Sequence, residues 1–419
     1  MDDHFKRYGD IYKAVIYGTP VYVVRRLEYA QHVLRKNYQN YTKGQAIKRI
    51  ALLLGNGLMV SEGKLWKSQR QMIQPAFHRN VVGALTNVIT TANISLRKKW
   101  EHAAQEEKSV NITHDISKMV LEVVLISIFG SDYEQVRSHF DIVSDESARN
   151  LQFAQMFRSL GELVVRVTAQ RRKARTTSTD ILGMLMAARD RVSGKAMPDG
   201  QLVKEILTLV VAGHETTASS LNWTWYLLSQ HSEVEEKLWG ELDSLYTSEY
   251  LVFDDLPRFT FTRQVLDEAM RLYPPGWLMT RRALRDDQLG DYFVPAGTEI
   301  YIPPYFIQRH PDLWENPDRF NPDRLGPDHS QERHLLGLLP FSLGPRNCVG
   351  ELLARVEMQI HLITIAKHLR LRYDEKKPPE LEAGVNLRSK HDFIMTPVIK
   401  TSANCRPAPK SADLRAIGD

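Results

Sequence analysis

The residue best suited to chemistry is the cysteine at position 348, which lies in a stretch rich in turn-forming residues, Phe341-Ser342-Leu343-Gly344-Pro345-Arg346-Asn347-Cys348-Val349-Gly350. Apolar residues follow at intervals of three and four, which predicts a helix over 351–369. At a helix N-terminus the dipole and the unpaired backbone N–H groups favour a thiolate, which is a metal ligand. A lone cysteine is more often a small buried apolar residue, so the local pattern leaves both interpretations open.

The spacing Phe-x-x-Gly-x-Arg-x-Cys-x-Gly resembles the cysteine loop of the cytochrome P450 family, the heme-thiolate monooxygenases, at every fixed position. The resemblance implies that Cys348 is the axial ligand of the iron in heme b, with Phe341, Arg346 and Gly350 as further heme contacts. No other Cys or His stands at ligand spacing, which argues against zinc, whereas heme iron needs only one axial protein ligand.

A second motif, Ala212-Gly213-His214-Glu215-Thr216-Thr217, lies in a proline-free stretch that predicts a helix over 202–228. It is similar to the family's oxygen-activation motif. The resemblance implies that Ala212 adjoins the heme and that Glu215 and Thr216 form the catalytic acid–alcohol pair that handles protons. A mid-helix threonine more often bonds back to the carbonyl one turn earlier, and His214 matches no fixed role, which favours a structural or solvated histidine.

A third motif, Glu268-Ala269-Met270-Arg271, belongs to a predicted helix that is stopped by two prolines at 274 and 275. On an exposed helix such a pair contributes only about 0.2–0.5 kcal/mol. The resemblance implies instead a buried triad of Glu268, Arg271 and Arg319, the last from Pro317-Asp318-Arg319-Phe320, which holds the cysteine loop in place.

Trp66 and Arg70 stand at i and i+4, so that their N–H donors project from one face of a helix toward one anion. The resemblance implies that both bind the heme propionates, for which the guanidinium fork is suited. Arg281 and Arg346 resemble further propionate partners, and the choice between Arg281 and its neighbour Arg282 stays open.

The elements that must position these residues change along the chain. Strand and turn patterns dominate about 8–30, with a Gly-Thr-Pro hairpin, and about 274–345, while helical periodicity dominates about 60–272 and 349–370. The absence of repeats and clean linkers predicts a single domain over 1–400, with a disordered tail over 401–419. The expected fold is mainly α with small β-sheets. The resemblance implies the cytochrome P450 fold, with heme between the long helix of Thr216 and the cysteine loop.

Composition excludes several classes. With 43% hydrophobic and 25% charged residues, the 419-residue chain is expected to fold into a globular protein rather than a disordered or fibrous one. Two cysteines cannot form a disulfide framework, and no signal peptide or spanning segment is recognised, so a cytoplasmic monomer without a membrane span is expected. A net charge of +5 is too mild to indicate nucleic-acid binding.

The resemblance, closest to soluble bacterial members, implies the activity. The enzyme would insert one oxygen atom from O₂ into a lipophilic substrate by hydroxylation or epoxidation. No flavin or iron–sulfur segment is recognised, so electrons from NAD(P)H would arrive through a ferredoxin or flavodoxin with its reductase. An exposed basic patch of Lys64, Lys67 and Arg79 would suit such an acidic partner, or would merely solvate its helix.

The family analogy lines the substrate pocket with a loop over 46–54 and with 153–157, 209–217 and 276–279, which are mostly apolar. This leaves a fatty acid, a terpenoid and a carotenoid open. Between 130 and 180 there is room for little more than one long helix, so either the lid is shortened or residues are absent. The alternatives are a peroxide-driven peroxygenase, a rearranging heme-thiolate isomerase, and a heme-thiolate sensor without turnover.

Overall fold

The computed structural model describes residues 1–16, 18–137, 149–327, 337–375 and 377–400. The tail predicted over 401–419 lies outside the described residues, as do the side chains of the pocket segment 153–157, whose backbone belongs to a helix.

Helices make up most of the chain from residue 63 to residue 272. In chain order the α-helices are α1 (Asp2–Tyr8), α2 (Leu27–Gln31), α3 (Gln45–Leu54), α4 (Gly63–Ile73), α5 (Arg79–Ala84), α6 (Thr86–Gln105), α7 (Ile112–Phe129), α8 (Tyr133–Arg137), α9 (Arg149–Ala174), α10 (Ile181–Ala187), α11 (Asp199–Gln230), α12 (Ser232–Leu245), α13 (Thr260–Leu272), α14 (Pro304–Ile307) and α15 (Glu351–Ala366). None of those in the described part of the chain has the length and apolarity needed to span a bilayer.

The strands form small sheets. They are β1 (Ile11–Ile16), β2 (Thr19–Val24), β3 (Tyr41–Lys43), β4 (Val110–Asn111), β5 (Met279–Ala283), β6 (Asp287–Leu289), β7 (Tyr292–Val294), β8 (Glu299–Ile302), β9 (Leu369–Arg372), β10 (Leu381–Ala383), β11 (Leu387–Ser389) and β12 (Ile394–Ile399). The largest sheet has the order β1-β2-β8-β5-β3, and β2 pairs with β8 in parallel. The predicted opening hairpin is confirmed, with Ile11 opposite Val24 and Ile16 opposite Thr19.

The long helix α11 runs through the main apolar core. Its 32 residues span about 48 Å at 1.5 Å per residue. Leu221, Trp223 and Trp225 are almost fully buried, and the core around them includes side chains from α6, α7, α13 and α15. Because this packing surrounds its C-terminal half, α11 is a rigid support for the residues at its centre.

The cysteine loop is fixed against the smaller, sheet-rich part of the chain. Gly344 has a φ of 72°, and a Cβ built there would clash with the Leu34 carbonyl oxygen, so only glycine fits. The loop makes a turn of 3₁₀ helix over Gly344–Arg346, and the Cys348 N–H then donates to the Phe341 carbonyl at 2.9 Å. Cys348 therefore lies three positions before the first residue of α15, close to the predicted position.

Two elements differ from the sequence predictions and a third agrees with them. The segment 46–54, predicted as a loop, is helix α3. The helix after Cys348 ends at Ala366 rather than 369, because the chain enters β9 at Leu369. Between 130 and 180, the described part contains one long helix, α9, as predicted.

Candidate active site

The thiol of Cys348 is accessible although protein surrounds it closely. The residue is exposed, while burial raises the pKa of its thiol, against the opposing effects of the Gly350 N–H and the Arg70 guanidinium. These observations describe a sulfur at the bottom of a recess. Desolvation thus opposes the effect of the helix N-terminus, and a bound metal ion would deprotonate a coordinating thiol.

Three basic side chains meet beside the cysteine loop, and we call them the cation cluster: Lys43, Arg281 and Arg346. Lys43 and Arg281 are direct partners in the β3–β5 register. Arg346 pairs with Glu62 and also donates to the Ser61 carbonyl at 3.1 Å. Burial and the neighbouring arginines lower the pKa of Lys43 well below its usual value, and burial followed by Arg346 lowers the pKa of Arg281 to about 10. A cluster of three cations with one carboxylate is suited to binding further anions.

The predicted propionate residues Trp66 and Arg70 both lie against the cysteine loop. The Arg346 guanidinium stacks over the Trp66 ring at 4.4 Å. Arg70 forks onto Asn347, donating to its backbone oxygen at 2.7 Å and to its side-chain oxygen at 2.9 Å. Arg282 instead donates to the Gly297 carbonyl at 3.1 Å. Of the two neighbouring arginines, it is therefore Arg281 that joins the cation cluster.

The centre of α11 is less covered by other elements than the stretches on either side of it. Residues 206–210 and 217–225 are buried, whereas Ala212 between them is exposed and Thr216 is half-buried. The Thr216 hydroxyl donates to the Ala212 carbonyl at 2.7 Å, which is the common mid-helix arrangement. The Glu215 carboxylate accepts from the Asn386 side-chain amide at 2.8 Å. The two members of the predicted pair thus have different partners in this structure.

His214 is hydrogen-bonded to the neighbouring helix α7. Its Nε2 lies 2.8 Å from the Ser117 hydroxyl and 3.0 Å from the Ser117 carbonyl oxygen on α7. Burial lowers the pKa of His214, with Glu215 acting in the opposite direction. This arrangement ties α11 to α7.

The predicted charge triad is wrong in its third member. Glu268 and Arg271 are fully buried and form two hydrogen bonds of 2.7 and 2.9 Å. The third side chain is Arg324, whose Nε donates to Glu268 at 3.0 Å. Arg319 is exposed and contributes only its backbone oxygen, to Arg271 at 3.3 Å. The sequence carries Pro-Asp-Arg twice, five residues apart, and the second copy reaches the carboxylate.

Of the three residues proposed as a basic patch, Lys64 and Lys67 are exposed on α4. Arg79 pairs with Asp254 at 2.6 Å and stacks over the Phe253 ring at 4.7 Å. Its charge is therefore largely compensated, which leaves the two lysines as the basic surface on this side.

The fold and this constellation agree with comparisons to known proteins. The family model described as "Cytochrome P450" matches residues 1–160 and 139–395. Cyclooctat-9-en-7-ol 5-monooxygenase of Streptomyces melanosporofaciens is 30% identical over 386 residues, covering 87% of this chain and 83% of that protein. Pentalenene oxygenase of Streptomyces avermitilis is 28% identical over 384 residues, covering 87% of this chain and 84% of that protein.

A solved structure shows the same fold. The crystal structure of cytochrome P450DA heme domain superposes with a TM-score of 0.84 at 22% sequence identity, covering 94% of this chain and 91% of that chain. The family match extends over most of the chain. The chain belongs to the cytochrome P450 family and is a P450 monooxygenase.

The residues present fit the family's cofactor. Heme b requires one axial ligand and partners for two carboxylates, and the chain offers an accessible thiol next to a cluster of three cations with a single carboxylate. Asn386 and Arg324 were both missed from the sequence. The repeated Pro-Asp-Arg was a signal for Arg324, whereas Asn386 lies in no recognisable motif.

Proposed function

We propose that this protein is a heme-thiolate monooxygenase that inserts one oxygen atom from O₂ into a lipophilic organic substrate, with electrons delivered by separate redox proteins. The observation that carries the proposal is the accessible thiol of Cys348 beside the cation cluster. Arg70 and Trp66, on α4, both contact the loop that contains this cysteine. A thiol and a set of anion-binding side chains in one place are what a heme with two propionates requires.

Cys348 would bind the heme iron, and the cation cluster with Arg70 and the Trp66 indole would hold the propionates. Phe341, Gly350 and Ala212 would contact the macrocycle. Bound heme supplies the oxygen chemistry and the thiolate ligand favours cleavage of the O–O bond. The hydrogen bonds that Arg271 and Arg324 donate to Glu268 would keep the segment before the cysteine loop in place.

Glu215 and Thr216 would handle protons at the centre of α11. The Thr216 hydroxyl donates its single proton to the Ala212 carbonyl, so its oxygen can still accept a hydrogen bond from another group. Glu215 is half-buried, so it can exchange protons with solvent on one side and pass them toward the exposed part of the helix on the other.

The substrate would occupy the space over the exposed centre of α11. Helix α3 and the half-buried residues 276–279 border the pocket by family analogy. The two relatives are named for acting on an alkenol, cyclooctat-9-en-7-ol, and on an alkene, pentalenene. We therefore favour a terpenoid-type alkene over a fatty acid, since a carboxylate would need a partner for its charge in an apolar pocket.

Electrons would come from NAD(P)H through a ferredoxin or flavodoxin and its reductase. Lys64 and Lys67 on α4 are exposed next to the buried Trp66, and an acidic partner bound there would lie close to the cation cluster. Complementary charge of this kind would make the association faster at low salt than at high salt.

The test is turnover of a terpenoid alkene with NAD(P)H and a surrogate ferredoxin with its reductase, compared with turnover by hydrogen peroxide alone. We expect an oxygenated product and NAD(P)H consumption that depends on the ferredoxin. Product formed efficiently with peroxide and none with NAD(P)H would favour a peroxygenase. Isomerised product, or heme binding without turnover under either condition, would favour the isomerase or the sensor.

A further inference from the structure

The hairpin of β10 and β11 touches α11 next to the residues of the oxygen-activation motif. At its tip, Asn386 donates a side-chain N–H to the Glu215 carboxylate at 2.8 Å. One turn further along α11, the Ser219 hydroxyl donates to the Leu387 carbonyl at 2.8 Å, and this second contact is buried. Consecutive residues of the hairpin thus bind one face of α11 at i and i+4.

The other side of the hairpin is held by the segment between α13 and β5. The Leu387 N–H donates to the Pro275 carbonyl at 2.9 Å, and the Trp277 indole donates to the Gly384 carbonyl at 3.0 Å. The hairpin therefore spans the gap between α11 and residues 275–277, two stretches that border the proposed substrate space. A ligand that fills this space would press on the hairpin itself.

We propose that Asn386 is a positioning residue for Glu215, and that the hairpin links occupation of the substrate space to proton handling. This inference rests on the proposed function, since it assumes that Glu215 supplies protons. A primary amide suits the role because its N–H donates to a carboxylate without bringing a second charge. With Asn386 in place, the Glu215 carboxylate is directed toward the hairpin while Thr216 is bonded back into its helix.

Glu215 has a charged neighbour on its own helix and a neutral donor on the hairpin. His214 on the same helix is a titratable group that interacts with Glu215, and it is hydrogen-bonded to Ser117 on α7. The hairpin contributes a neutral donor at the carboxylate. Movement of the hairpin when substrate binds would thus change the hydrogen bonding of Glu215 without moving α11, whose C-terminal half is packed in the core.

The consequence is measurable as coupling. In productive turnover, substrate, O₂, NAD(P)H and one proton give oxygenated product, water and NAD(P)⁺. In unproductive turnover, O₂, NAD(P)H and one proton give hydrogen peroxide and NAD(P)⁺. A misplaced proton donor shifts turnover from the first outcome to the second, so the fraction of NAD(P)H recovered as product reports on Glu215.

The experiment compares Asn386→Ala and Asn386→Asp with Ser219→Ala in the heme-loaded full chain. Ser219→Ala is the matched control, because it removes a contact between the same hairpin and the same helix but leaves the amide on Glu215. We expect Asn386→Ala to lower product per NAD(P)H by about tenfold, less than the roughly 10²-fold or larger cost of removing an acid–base group itself. Asn386→Asp places two carboxylates together, so the acid limb of the rate–pH profile should move to higher pH.

The outcomes separate positioning from simple docking. Lower coupling and a shifted pH profile in the Asn386 variants, with Ser219→Ala like the unaltered chain in both, would support the inference. Equal losses in Asn386→Ala and Ser219→Ala with an unmoved pH profile would overturn it, as would unchanged coupling in Asn386→Ala. If the unaltered chain showed no ferredoxin-dependent turnover, the proposed function would fail, and the inference would fall with it.

Discussion

Replacing Arg324 by alanine should destabilise the protein, whereas replacing Arg319 should not. Arg324 donates to the fully buried Glu268 carboxylate at 3.0 Å, and its other nitrogens reach the backbone oxygens of Glu315, Asn316 and Arg319. The Arg319 side chain is exposed. The two arginines share the same local sequence, Pro-Asp-Arg, so the pair isolates the effect of position.

The size of the effect follows from what Glu268 retains. Without Arg324 it still accepts two hydrogen bonds from Arg271 and one from the Asn321 N–H, so the buried carboxylate is weakened rather than isolated. Breaking a buried pair costs about 3–5 kcal/mol, and the remaining partners place Arg324→Ala at the low end, about 3 kcal/mol. In a chain of 419 residues this corresponds to about 3–4 °C in Tm.

The assay is thermal unfolding followed by circular dichroism, with both variants at equal heme loading. Arg319→Ala should stay within about 0.5 kcal/mol of the unaltered protein, as exposed substitutions do. An Arg319→Ala variant that is as unstable as Arg324→Ala, or an Arg324→Ala variant with an unchanged Tm, would refute the assignment of the third member of the triad.

Three further perturbations test other parts of the structure. Burial raises the pKa of Glu205 to about 7 from 4.5, so between these pH values the folded chain keeps a proton that the unfolded chain loses, and the free energy of unfolding falls as pH rises. In denaturant unfolding at pH 5 and pH 7, Glu205→Gln should flatten this slope by about 1.4 kcal/mol per pH unit. An unchanged slope would contradict this expectation. His361 is buried between an indole N–H and an asparagine oxygen at 2.9 and 2.7 Å, so His361→Ala should cost about 3 kcal/mol, and a loss below about 1 kcal/mol in the same assay would count against it. Gly344→Ala should reduce heme retention on a desalting column, because the alanine Cβ would clash with the Leu34 carbonyl. Gly240→Ala is the control: it adds a Cβ in open space on α12 and should leave heme retention unchanged. Equal retention in the two variants would show that the cysteine loop adapts to the alanine.

Short motifs with fixed spacing were the most predictable part of the site. The cysteine loop, the Glu-x-x-Arg pair and the Trp-x-x-x-Arg pair could be located because each depends on residues within one turn or one loop. The protonation of the Cys348 thiol depends on more than its local sequence. A helix N-terminus favours the thiolate, but the pKa depends on everything around the sulfur, and burial dominates.

Contacts between distant segments could not be predicted from local pattern. Arg319 and Arg324 carry the same motif, and only the path of the chain after residue 317 decides which one reaches Glu268. Asn386 meets Glu215 across 171 residues of sequence, in a hairpin of three-residue strands without a motif. Helix α3 lies where the family analogy predicted a loop, although its own apolar residues have helical spacing.

The central claim is that Cys348 binds heme iron as a thiolate, and the absorption spectrum of the dithionite-reduced, CO-bound protein tests it most directly. A thiolate opposite CO shifts the Soret band strongly to the red, so the unaltered protein should show this shift and Cys348→Ala should not. An unshifted band in the unaltered protein, or a shifted band in Cys348→Ala, would contradict the assignment.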